Sequence, residues 1–161
     1  MSFEDSHQTQ RVTHATLVFE REVPAAIDKV FAAFANAKAR AEWGAPSDTA
    51  TIIYDLEDFQ EGGEDRFRCG SRSNPNIHGT TRYLEIIPGR RIVSSETISM
   101  DGQRLCASLI TLELAQVGSS TQLRSTSQVA SFIGQDMIKG TEIGNNGSLD
   151  SLVNYLSREQ A

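Results

Sequence analysis

The stretch TEIGNNGSLDSLVNYLS, residues 141–157, decides the fold. Asn145, Leu149, Leu152 and Leu156 fall in one stripe on a 100° wheel. Thr141 and Glu142 sit at its margins, and Asn146, Asp150 and Asn154 point away or flank it. The spacing predicts a closing amphipathic helix over 141–157 that lays one face on a sheet. Gly144-Asn145 stands on that face where a large aromatic would be the obvious plug, so the layout predicts a pocket between sheet and helix.

Upstream of this helix the hydrophobic period is almost entirely two. A first strand is expected over 14–23, with Leu17, Phe19 and Val23 on one side and Val18, Glu20 and Glu22 on the other. Pro24 is expected to open a helix, in which Ile27, Val30, Phe31 and Phe34 recur at helical spacing. A second short helix follows over 38–43 and stops at Gly44-Ala45-Pro46. Strands then alternate from Thr49: Ile52, Tyr54 and Leu56 share one phase, and Phe67 and Cys69 share another, opposite Arg66 and Arg68. Turns are expected at Glu61-Gly62-Gly63, at the loop SRSNPN (71–76), at Pro88-Gly89 and at Asp101-Gly102, the last a strong hairpin signal. Strands over 79–87, 91–100, 105–114 and 121–132 complete an antiparallel sheet in meander order.

A chain of 161 residues fits one domain, and such a domain buries roughly 70% of its unfolded surface without needing a disulfide or a metal. The expected organisation is a tail over residues 1–11 and a single domain over 12–161. Fifteen basic and 21 acidic residues give a formal charge of −6, with the cations scattered. That argues against nucleic acid, which needs a clustered basic face. The polar opening MSFEDSHQTQR is no secretory signal, and no apolar run approaches the roughly 20 residues of a membrane span. A cytoplasmic protein is expected, with Cys69 and Cys106 reduced and packed.

The order of these segments resembles the START-like (SRPBCC) superfamily, and within it the group named for the activator of Hsp90 ATPase. FEREVPAAIDKVFAAFANAKARAEWGAP (19–46) is similar to that group's opening strand, first helix and tryptophan-bearing second helix. EGGEDRF (61–67), GTTRYLEIIPGRRIVSSE (79–96) and SSTQLRSTSQV (119–129) are similar to its later strands. The resemblance implies an α+β helix-grip fold: a curved antiparallel sheet of six to seven strands around a long C-terminal helix, with a cavity for an apolar or amphipathic ligand. It also implies Gly-Trp near the start of the last helix, where this chain has Gly144-Asn145.

The candidate ligand-binding residues are Phe34, Trp43, Phe67, Tyr83, Asn145 and Leu149. Ligand sites are lined mainly by apolar and aromatic groups with a few convergent polar ones. A buried Asn145 amide or Tyr83 hydroxyl would need a partner. The bland alternatives are core packing for the aromatics and a helix N-cap for Asn145. Arg66, Arg68, Arg82 and Glu96 read as a solvated sheet face, with an inward turn as the alternative. The acidic cluster Glu57, Asp58, Glu61, Glu64 and Asp65 reads as a solvated turn, since it lacks the register of a calcium loop. Nucleophile elbow, phosphate loop and zinc-helix patterns are missing from the sequence, and no metal or cofactor is expected.

The leading reading is a non-enzymatic binder of a small hydrophobic or amphipathic molecule. The resemblance implies two alternatives. One is an interaction protein docking on an Hsp90-type chaperone, with a role in stress response. The other is a cyclase-like or hydrolase-like enzyme using His78, Tyr83 or Glu96. An exposed strand edge would also allow a homodimer.

Overall fold

The computed structural model describes residues 11–45 and 47–159. Apart from Arg11, the expected tail lies outside the described residues. The elements run β1 (Thr13–Val23), α1 (Ile27–Ala35), α2 (Ala37–Trp43), β2 (Ala50–Leu56), β3 (Glu64–Ser71), β4 (Asn74–Ile87), β5 (Arg91–Met100), β6 (Gln103–Val117), β7 (Ser120–Ser131) and α3 (Gln135–Glu159). The fold is the helix-grip arrangement: one seven-stranded antiparallel sheet, two short helices after β1, and a long C-terminal helix.

Strand order is β1-β7-β6-β5-β4-β3-β2, so β2 to β7 form the expected meander and β1 returns to pair with β7. The two strands adjacent in sequence therefore lie at opposite edges, and α1 and α2 span the gap. Period-two alternation sets the faces: Phe19, Val23, Leu112, Leu114 and Leu123 turn inward, while Val18, Glu20 and Glu22 turn out. From α3, Leu149, Leu152 and Leu156 close onto this face with Val30 and Ala33 of α1. Each such leucine contributes about 1.5–3 kcal/mol by leaving water. Arg21 of β1 clamps the flank of α3 through Asp150 Oδ1 (3.1 Å) and Asn146 Oδ1 (2.9 Å).

Four boundaries differ from the sequence reading. Pro24 does not open α1: its first turn starts at Ile27, behind an extended Ala26. Leu56 is exposed, because a bulge between Tyr54 and Leu56 breaks the alternation. The SRSNPN loop shrinks to Arg72-Ser73, since Ser71 already pairs with Asn74 and β4 begins there. Finally, α3 begins six residues earlier than expected, at Gln135. Its glycines at 140, 144 and 147 weaken local helical preference and masked the first turns. The Asp101-Gly102 hairpin forms as read, with both residues at positive φ (52° and 78°).

Gly79 of β4 lies under the ring of Phe67, its partner on β3. A methyl group at Gly79 would come within 2.0 Å of that ring. The glycine thus lets an aromatic lie flat on the sheet floor. Gly79→Ala should tip Phe67 toward the space above it and cost about 1–3 kcal/mol, the usual range for overpacking. Urea denaturation of the two proteins checks this.

Candidate functional site

Between the sheet and the N-terminal half of α3 lies a cavity of about 220 Å³. Two ladders of paired strands build its floor. One runs Asp65, Thr81, Glu96 across β3, β4 and β5; the next runs Tyr83, Ser94, Ile110 across β4, β5 and β6. Directly paired residues share a face, so both ladders point inward together. Phe34 of α1 and Trp43 of α2 form one wall, with ring centres 4.9 Å apart and edge to face. Trp43 Nε1 is satisfied by the Ala33 carbonyl at 3.0 Å, so the indole serves the wall by packing. Asn145, Ser148 and Leu149 of α3 supply the roof, and Ser148 Oγ donates to the Gly44 carbonyl at the end of α2 (2.6 Å).

One side of the cavity is held by a buried charge network. Arg40, 7% exposed, donates from Nη2 to Asp65 Oδ2 (2.9 Å) and from Nη1 to the Phe34 carbonyl (2.5 Å). Asp65, 1% exposed, also accepts from Tyr83 Oη at 2.5 Å and from the Asp58 backbone N–H at 2.9 Å. The Arg40 guanidinium stands 4.7 Å from the centre of the Tyr54 ring, a cation–π distance. Burial pushes the Tyr83 hydroxyl well above its ordinary pKa, against the pull of Arg40, and the bond to Asp65 pushes it the same way. Tyr83 is a fixed hydrogen-bond donor.

Glu96 occupies a different part of the floor. It keeps some accessible surface and lines the cavity. Enclosure pushes its carboxyl up to about 7, and a hydrogen bond with Thr81 only partly offsets this. No ion pair reaches it among the described residues. Asn145 on the roof has no hydrogen-bond partner among them either. Their own burial, with Glu96 nearby, raises the thiols of Cys69 and Cys106 to about 11, and both are free cysteines. They are packed groups, not nucleophiles.

The family model described as Activator of Hsp90 ATPase homolog 1-like protein matches residues 24–157. The chain belongs to this family. Among solved structures it is similar to the Mll3558 protein from Rhizobium loti (34% identity, TM-score 0.80, covering 91% of this chain and 99% of that one). It is also similar to a protein from Rhizobium leguminosarum (30% identity, TM-score 0.78, 92% and 97% covered). Protein CV1439 from Chromobacterium violaceum shares the fold at 22% identity (TM-score 0.73, 87% and 96% covered). No curated protein matches the chain.

In this Hsp90-activator-like chain the six residues singled out from sequence, Phe34, Trp43, Phe67, Tyr83, Asn145 and Leu149, all line the one cavity. Asn145 is no N-cap, since α3 starts ten residues before it. The Tyr83 hydroxyl turns to Asp65 and leaves its ring as the cavity face. His78 lies on the outer face of β4, paired with Arg68 and Ser99, and is exposed. Arg66, Arg68 and Arg82 are solvent-facing and ion-paired, as expected. Glu96 is not part of that solvated face, and Asp65 is not part of a solvated turn; both point inward. Their signal was strand phase: Asp65 shares parity with Phe67, and Glu96 with Ile92 and Ser94. Arg40 stands three residues before Trp43, on the buried face of α2.

Two stability measurements follow. Asp65→Asn leaves the Arg40 charge buried without a counterion, and should cost about 3–5 kcal/mol in a denaturant titration. Glu96 works in the opposite sense. Between 4.5 and about 7 the folded protein keeps a proton that the unfolded chain has released. Its contribution to stability therefore falls as pH rises through that window. Glu96→Gln should match the parent near pH 4 and exceed it at pH 8 by on the order of 3 kcal/mol.

Proposed function

We propose that the chain binds a small hydrophobic or amphipathic molecule in the cavity between the sheet and α3. One observation carries the reading: a largely apolar, aromatic-walled space that also holds two polar side chains, Glu96 and Asn145, without a full set of protein partners. Apolar walls supply affinity at about 25 cal/mol per Å² of buried surface, and a few polar groups fix orientation. A cavity of about 150 Å³ takes one benzene ring. The 220 Å³ here suit a ring with a short substituent. A thermal-shift screen of aromatic and alicyclic compounds of that size, beside fatty acids and sterols, tests the reading; uniform silence would overturn it. Asn145→Trp should fill the cavity, raise the melting temperature and abolish every shift seen with the parent.

A cyclase-like or hydrolase-like enzyme is the second reading, and the inward carboxyl of Glu96 favours it, because a general acid or base works best near the operating pH. Of its other candidates, His78 faces outward and Tyr83 is committed to Asp65. The family's description also supports an Hsp90-type chaperone as partner. Stimulation of a bacterial Hsp90 ATPase by the purified chain is the measurement for that reading. No helix among the described residues is long and apolar enough to cross a membrane.

A further inference from the structure

The cavity holds one more negative group than positive. Among the described residues Arg40 is the only cation lining it, and Asp65 already neutralises Arg40 at 2.9 Å in a network closed by Tyr83 and the Asp58 N–H. Arg40 Nε, though unpartnered, has no accessible surface, so a ligand cannot reach the guanidinium there. Glu96 is different. It contacts the cavity, its protein partner is the Thr81 hydroxyl, and no Lys or Arg among the described residues forms an ion pair with it. The other titratable groups facing the cavity are Tyr54 of β2, Asp65 of β3, Tyr83 of β4 and Arg40 of α2, and the thiols of Cys69 and Cys106 lie near Glu96. The residues of α3 over the cavity, Asn145, Ser148 and Leu149, carry no charge. None of these groups offers Glu96 a free positive charge.

Resting on the ligand-binding reading, we propose that the ligand is a small amphipathic amine whose ammonium group pairs with Glu96. Its apolar body lies between Phe67 below and Phe34 and Trp43 at the side. A cation supplies the charge that the site lacks. Asn145, opposite on the roof, has an amide oxygen that can accept a second N–H. A carboxylate-bearing ligand would meet repulsion from Glu96 and find no free cation. The ammonium also stabilises the ionised form of Glu96, so binding and ionisation strengthen one another.

The test is titration calorimetry of the parent and Glu96→Gln with three probes of equal size: 2-phenylethylamine, 2-phenylethanol and phenylacetate. The parent should prefer the amine over the alcohol by about tenfold or more at pH 8, as a charge-assisted hydrogen bond implies, and should reject phenylacetate. That preference should shrink from pH 8 to pH 5.5 as Glu96 takes up its proton. Glu96→Gln, which removes an unpaired charge and keeps the shape, should lose the preference for the amine. If the alcohol binds the parent as well as the amine does, or phenylacetate binds best, or Glu96→Gln keeps the preference, the amine assignment is wrong and the cavity reading stands. If none of the three binds, the amine assignment falls, and the thermal-shift screen alone decides the cavity reading.

Discussion

The carboxylate of Asp65 is the point on which the site's geometry turns. It accepts from Arg40 on α2, from Tyr83 on β4 and from the Asp58 backbone in the β2–β3 connection, so three separate segments meet at one buried charge. Helix α2 has only seven residues and would be marginal on helix propensity alone. Its place against the sheet is set by that ion pair, by Trp43 docking on the Ala33 carbonyl and by Ser148 reaching Gly44. A buried pair of this kind contributes less to net stability than to fixing one arrangement over others. Here the arrangement it fixes is the distance between α2 and the floor of the sheet. The cavity is the space that remains.

Much of this was legible in the sequence. The leucine spacing of α3, the parity of β1 and the Asp-Gly hairpin each follow from local geometry, and local geometry survives folding. The failures share a cause as well. Leu56 has the right parity but sits past a bulge, and one extra residue reverses a strand's faces. The first turns of α3 carry glycines that the tertiary structure tolerates but propensity penalises. Asp65 and Glu96 have residue types that argue for solvent and positions that argue for burial. Residue type prevailed in the reading, whereas position prevails in the fold, because Asp65 finds its cation 25 residues away on α2, beyond the reach of any local pattern.

The two acidic residues of the floor illustrate opposite solutions to one problem. Removing a carboxylate from water costs several kcal/mol unless donors replace the solvent. Asp65 has three such donors and keeps its place as a structural group. Glu96 has one hydroxyl and an open space beside it. Groups left in that condition are concentrated where proteins bind or transform ligands, and the contrast between the two carboxyls divides the floor into a part that supports the fold and a part that faces a guest.

The pairing of β1 with β7 bears on how the chain finds this structure. The strands from β2 to β7 are joined by short turns, and each can zip onto its predecessor at small entropic cost. β1 must wait. Its partners lie about a hundred residues onward, from Thr13 opposite Ser131 to Val23 opposite Thr121, and long-range pairings of this kind set the slow step in antiparallel folds. Until β1 docks, β7 is an open sheet edge. Its sequence, STQLRSTSQVAS, is rich in hydroxyl side chains and interrupted by Arg124. It is therefore a poor template for pairing with other chains, and the edge that β1 covers in the folded sheet is guarded against aggregation by its own residues.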